Sequence, residues 1–366
     1  MPNKINDERE LLPKPGDTIL ESLEHLKMSQ VELAERMGKT SSKINDIISG
    51  KEPITVNTSL QLEKVLGVDA SFWLNLEINY REKLLRLDQE DALEECKAWL
   101  AIQPIKELRK CGYLKEEKKG TAMIEECLKF YGVASPVQWK SIYIDQFVST
   151  SFRKSNIYET ELSSMAAWLR IGEIEMRNFE IKEFKKDALK ENLSAILRLV
   201  KIQPEDFAIQ LRNLCIEAGV ILIYTLCIPK APISGAVRWI GGNPLIQLTD
   251  RYKSNNHFWF TFFHEVGHVL LHGKKDVFLE EFDLYSRDEN KESEADDFAN
   301  RWLLPDDFLK DISDIITEKD IRRIASKYNT HPAIVVGRLQ HLKLIEHSFG
   351  NAFKVKVQLD DVINKP

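Results

Sequence analysis

The run HEVGH, residues 264–268, sets two histidines four positions apart with a glutamate directly after the first. Side chains at that spacing share one face of an α-helix. In a helix, His264 and His268 can therefore bind a single metal ion through their imidazoles. Glu265 then sits where a carboxylate can accept a proton from an attacking water without being a ligand itself. No other feature constrains the fold as tightly. The run demands a helix, a third protein ligand from another element and an open fourth position at the metal. The surrounding stretch, HFWFTFFHEVGHVLLHG, is strongly apolar, and Gly273 at its end is a helix stop.

What precedes this helix is β-rich. VILIYTL (220–226) reads as a strand, a second run follows at residues 235–240, and a third, PLIQLTD, starts at Pro244. Gly241, Gly242 and Asn243 between the last two are the chemistry of a tight hairpin turn. Residues 234–240, just before the metal helix, form an edge on which an extended peptide could add as a strand. Beyond the helix, a further one is predicted from about residue 290 to 304, stopping at Pro305. The segment 317–342 is helical again, with a break around residues 329–332.

The third ligand belongs on ENKESEADDFANRWLLP. Glu292 and Asp296 lie four apart and share a face, so Glu292 can bind the metal while Asp296 orients an imidazole from behind. Glu292 is the preferred ligand. Glu294, about 160° around the helix from Asp296, is the rival. His272, one turn beyond His268, is a further rival, but it would have to bend back awkwardly to the same ion and reads otherwise as a residue behind the ligands or on the surface. Ten acidic residues fall between Asp276 and Asp297, and they read mainly as a solvated face.

Nearer the start, MSQVELAERMGKTSSKINDIISGKEPIT has the layout of a helix-turn-helix. Ser29 followed by Glu32 makes a capping box for the first helix. Gly38 supplies the turn, and the second helix starts near Thr40 or Ser41 and ends at Gly50. Leu33, Ala34, Met37, Ile44, Ile47 and Ile48 form the shared core. Ser41, Ser42, Lys43 and Asn45 then face a DNA major groove, with Gln30 and Lys51 positioned for phosphates. The charge balance opposes strong nonspecific binding: residues 1–80 hold 9 Lys or Arg against 13 Asp or Glu.

The stretch between these modules, about 86–215, reads as longer charged helices broken near residues 132–136 and at Pro204, with apolar stripes that pack and no chemistry. Five cysteines at wide spacing argue against both a disulfide framework and a cysteine zinc site. The chain is 43% hydrophobic and 30% charged, and no apolar run reaches the roughly 18–20 residues of a membrane span. A cytoplasmic location is expected, with no membrane contact.

HEVGHVLLH followed by ESEADDFANRWLLP resembles the ImmA/IrrE family of metallo-endopeptidases (domain of unknown function 955) over roughly residues 205–310. The resemblance implies zinc held by His264, His268 and a glutamate of the second motif, with Glu265 as general base. The departures are Asp296 where Asn is frequent and Trp302 in an otherwise aliphatic stretch. Residues 14–80 are similar to the Xre-type helix-turn-helix of HigA-like antitoxins, most specifically at Trp73, Leu74, Asn75 and Leu76. That similarity implies operator binding, often as a dimer.

The expected fold is mainly α with a small α+β zincin-like domain. It comprises an all-α helix-turn-helix domain (1–85), a helical connecting region (86–204), a zinc peptidase domain with a short β-sheet (205–310) and a C-terminal helical extension (311–366). The expected partners are double-stranded operator DNA, a second copy of the chain in a homodimer, and a protein substrate that is a repressor or toxin–antitoxin component. One alternative is an antitoxin and autorepressor whose zinc domain binds a toxin or senses a ligand without proteolysis. Another is a zinc domain that activates transcription under stress.

Overall fold

The computed structural model describes residues 11–94, 96–144, 159–231, 233–249, 251, 253–272, 278–279, 289–312 and 316–359. Gly273, Tyr252 and most of the acidic stretch after residue 276 lie outside them. The chain divides into two compact units, one made of residues 1–98 with 119–124, the other of residues 99–118 with 125–366.

The first unit is all helix. Five helices, α1 (Pro15–Leu26), α2 (Gln30–Met37), α3 (Ser41–Ile48), α4 (Val56–Leu66) and α5 (Ala70–Glu94), enclose one apolar core. All six residues expected in the shared core are buried there, joined by Ile19, Leu23, Leu62 and Trp73. Each start is chemically marked. Ser29 Oγ accepts from the Glu32 amide, Thr40 from that of Lys43 and Thr55 from that of Thr58, which satisfies donors a helix start leaves over. The predicted capping box at Ser29 is only half formed, because the Glu32 carboxylate turns forward onto Arg36 at 2.7 Å. Gly38 closes α2 at φ +62°, a conformation a side chain would strain. Gly16 lets α1 meet the end of α3, where a Cβ would fall 1.9 Å from the Ile48 carbonyl oxygen. Helix α5 runs on through residue 85, where sequence reasoning ended the domain; REKLLRLDQEDALE contains neither glycine nor proline to stop it.

The second unit is organised on a four-stranded sheet of order β1-β3-β2-β4, from β1 (Ile221–Thr225), β2 (Gly235–Ile240), β3 (Asn243–Thr249) and β4 (Phe278–Leu279). Strands β2 and β3 form the expected hairpin. Ile240 pairs with Asn243, and Gly241 and Gly242 take φ of +60° and +95°, as a two-residue turn of the primed type needs. Strand β1 is parallel to β3, while β4 runs antiparallel to β2 at Ala236 and Val237. The edge expected to receive a peptide is therefore partly taken by the chain's own β4, which satisfies backbone groups an added strand would have used.

Alternation along the strands buries both faces. Leu222, Tyr224, Val237, Ile246 and Leu248 join the main core. Ile221, Ile223 and Leu245 face Met176 on the other side, where the helix α6 (Glu159–Glu175) closes over Gln247 and Arg238. Arg238 donates to Glu173 and to the Leu169 carbonyl, each at 2.7 Å, and Gln247 donates to the Trp168 carbonyl at 2.7 Å. Burial lowers the Arg238 pKa, and Glu173 acts against that shift. A charge buried this deeply needs such partners.

On the main-core face, α7 (Lys186–Ile202) and α8 (Phe207–Glu217) pack beside α9 (Asn255–Leu271), the helix that carries HEVGH. Helix α10 (Glu289–Leu303) crosses α9, and the pair α11 (Glu318–Lys327) and α12 (Pro332–His341) completes the same core. The segment after residue 311 is not an appended extension. Its Ile321, Ile324, Val335, Val336, Leu339, Val357 and Leu359 are core residues, and its Val355 carbonyl accepts the Asn255 amide at 2.9 Å, pinning the start of α9.

Candidate metal centre

Helix α9 is buried nearly all round, from Asn255 to Leu270. Such a helix can carry polar groups only where each finds a partner. Its neighbour comes close because the crossing is made by small residues: Gly267 faces Ala295, and a Cβ on Gly267 would stand 3.1 Å from the Ala295 Cα. The glycine inside HEVGH is thus what lets α10 approach. Glu292, Ala295, Asp296 and Ala299 recur at the spacing of one helix face, with both alanines fully buried.

That approach brings His264, His268 and Glu292 together. The two Nε2 atoms are 2.9 Å apart, and the Glu292 carboxylate lies 3.4 Å from that of His264 and 3.6 Å from that of His268. Zinc–ligand bonds of about 2.0–2.1 Å at tetrahedral angles separate neighbouring donors by roughly 3.3 Å. The three edges bracket that value, and two imidazoles with one carboxylate are a donor set typical of zinc. The residues present fit the ion.

Behind the donors lies a second layer that fixes the imidazole protons. His264 Nδ1 is 2.8 Å from Asp296 Oδ1. A carboxylate only accepts, so the proton of a neutral His264 sits on Nδ1 and Nε2 keeps its lone pair. His268 Nδ1 is 2.9 Å from His272 Nδ1, whose Nε2 is 3.0 Å from Glu294 Oε2. Glu294 accepting from His272, and His272 from His268, leaves the His268 Nε2 lone pair directed at the same point. Asp296 stands behind the His264 imidazole, on the face it shares with Glu292. Glu294, the rival ligand, pairs instead with His272, which stands behind His268.

Glu265 is fully buried, on the side of α9 that meets the sheet. Gly235, the first residue of β2, lies against it: a Cβ there would be 2.6 Å from Glu265 Oε1 and 2.6 Å from Thr261 Cγ2. Sequence reasoning missed Gly235, and a glycine opening a strand just ahead of HEVGH was the available signal. His331 stands at the start of α12. Its Nδ1 accepts the Ala333 amide at 3.1 Å and caps α12, and burial holds its pKa below the usual value.

A cavity of about 640 Å³ opens beside the donors, with His264, Glu292 and Asp296 in its lining. In the first unit, Gln30, Ser41, Ser42, Lys43 and Asn45 are all exposed, on the opposite face from buried Ile44, Ile47 and Ile48. Lys51 is exposed as well, and Lys43 forms an ion pair with Glu52.

Comparisons with known proteins divide along the same line. Residues 220–340 match the family described as the IrrE N-terminal-like domain, Peptidase_M78, and residues 19–73 match the helix-turn-helix family. The first match runs past residue 310 to include α11 and α12 up to Gln340. The uncharacterized HTH-type transcriptional regulator YddM of Escherichia coli (strain K12) is 37% identical over 65 residues, 18% of this chain and 69% of that protein. Virulence-associated protein I of Dichelobacter nodosus is 32% identical over 77 residues, 21% of this chain and 71% of that one. Among solved structures, an addiction module antidote protein of the HigA family from Coxiella burnetii is 32% identical, covering 23% of this chain and 92% of its own at a TM-score of 0.22. Among the described residues no helix is long and apolar enough to cross a membrane.

Proposed function

Because the chain belongs to the helix-turn-helix transcriptional regulators and carries an IrrE N-terminal-like domain, we propose that it is a cytoplasmic regulator whose second unit is a zinc-dependent endopeptidase acting on a protein partner. The observation that carries this reading is the triad of donors, His264, His268 and Glu292, with Glu265 adjacent on the same helix.

His264, His268 and Glu292 would hold zinc there, which would supply a Lewis acid for a peptide carbonyl and lower the pKa of a water toward neutral. Glu265 takes a proton from the attacking water as the new C–O bond forms, then delivers it to the amine as the C–N bond breaks. Asp296 and His272 keep the ligand imidazoles in the tautomer with a free Nε2. Gly235 leaves Glu265 the room to hold its position.

The first unit binds operator DNA through Ser41, Ser42, Lys43 and Asn45 of α3, with Gln30 on a phosphate. A homodimer is supported by Ile78 and Leu85, seven apart on one face of α5 and 58% and 59% exposed. Light scattering of the full chain, with and without Leu85→Lys, tests that part.

Glu265→Gln tests the enzymatic part. The zinc-loaded chain and this variant are each incubated with a peptide library, and new amino termini are read by mass spectrometry. Cleavage by the native chain alone, with equal zinc in both, is the expected result. A second reading, zinc bound for sensing or for capturing a toxin without cleavage, draws support from the full burial of Glu265. It is favoured if neither chain cuts and the variant keeps its biological activity.

A further inference from the structure

The cavity beside the donors is divided by charge. Among the described residues that line it, only Glu292 and Asp296 are acidic, and both are engaged with the metal-site histidines. The part of the lining contributed by α12 and the chain after it carries Arg338, His341, His347 and Lys354. The apolar side chains of Phe260, Leu304 and Ile334 line the same cavity.

The basic wall is held in place rather than loosely solvated. Buried Gln340 donates to the His347 and Phe349 carbonyls, each at 3.0 Å, which fixes its amide and turns its Oε1 toward the Lys354 ammonium at 2.8 Å. An ammonium has three donors, so Lys354 keeps others for a ligand. Burial also lowers the Lys354 pKa. Arg338 is anchored by Asp306 through Nη2 at 2.9 Å, while its buried Nε has no hydrogen-bond partner among the described residues. The volume far exceeds what an ion and a few waters need and falls in the range of pockets that hold organic ligands.

We propose that this cavity is a substrate subsite for an acidic peptide segment, whose Asp or Glu side chain is held by Lys354 and Arg338 while a neighbouring apolar side chain rests on Phe260, Leu304 and Ile334. The proposal deepens the peptidase reading of the adjoining metal centre and rests on it. It names the substrate class: a chain acidic next to the bond that reaches the metal, drawn in by a wall of opposite sign.

The test uses the full-length, zinc-loaded Glu265→Gln chain and two fluorescein-labelled decapeptides that differ only in Asp and Glu against Asn and Gln. Fluorescence anisotropy should show the acidic peptide binding at least ~10-fold more tightly. Lys354→Met should bring the two peptides to parity, and Lys354→Glu should reverse the order, with unchanged thermal unfolding certifying the fold of each variant. Equal affinity for both peptides, or a preference that survives Lys354→Glu, overturns the proposal. So does inorganic phosphate binding alone as tightly as the acidic peptide, which would mark a small-anion site. The two readings fail separately. An acidic preference in a chain that never cleaves leaves the subsite standing without the peptidase, and indifferent cleavage of acidic and neutral library peptides does the reverse.

Discussion

Gly235 and Glu265 are in direct opposition: a Cβ on the glycine would meet the carboxylate oxygen at 2.6 Å. The strand start and the proposed general base therefore constrain each other. Gly235→Ala should push Glu265 off its position and lower peptide cleavage by about 100-fold, the scale of an ångström's misplacement of a reacting group. Zinc content should not change, because no donor touches residue 235. Steady-state cleavage with metal analysis of the same preparation reads both quantities.

The crossing of α9 and α10 depends on Gly267 and Ala295, whose backbones nearly touch. Ala295→Leu should force the helices apart, at a cost of about 1–3 kcal/mol in stability. Glu292 rides on α10, so zinc affinity should fall with it. Urea unfolding and chelator competition measure the two effects, and a stable variant with undiminished zinc affinity would break the link.

The line Glu294–His272–His268 should behave as one unit. Glu294→Gln and His272→Gln should each weaken zinc binding by about 10–100-fold. The double variant should be little worse than either, since both remove the same support. Additive losses in chelator titrations would show that the two act independently.

His331 caps α12 through a neutral Nδ1, and its pKa is held down by burial. The unfolded chain takes up that proton more readily, so this contribution to stability is complete above the usual pKa of about 6.5 and is lost as the pH falls through the lower folded value. His331→Asn keeps a capping acceptor that does not titrate. The loss of stability between pH 7 and pH 5 should then be smaller than in the native chain by about 1 kcal/mol, the scale of one cap. Urea unfolding at the two pH values measures the difference.

In the first unit, Glu52 holds the Lys43 ammonium. Glu52→Gln should release it to a phosphate, strengthen binding to duplex DNA at low salt and steepen the salt dependence by about one unit of slope. Asn45→Ala should weaken the preferred sequence and leave the salt slope alone.

Much of this was legible in the residues. The hairpin followed from Gly241 and Gly242 between two β-rich runs, and the core of α2 and α3 followed from apolar spacing alone, since local chemistry decides both. HEVGH and the pairing of Glu292 with Asp296 were readable because helical periodicity fixes which side chains share a face. The part that needed three dimensions is what joins distant segments. Nothing local tells that β4 takes part of the β2 edge, that residues 318–359 close the core beneath α9, or that Gly235 faces Glu265 thirty positions on. Glu294 looked like a rival ligand because sequence spacing gives a face but not the partner across it.

The most direct measurement of the central claim is zinc per chain, by mass spectrometry of metals after dialysis against micromolar free zinc. The native chain should hold one ion. His264→Ala and Glu292→Ala should hold almost none, and Glu294→Ala should stay close to one at that concentration. Full occupancy in Glu292→Ala, or loss in Glu294→Ala alone, would contradict the centre described here.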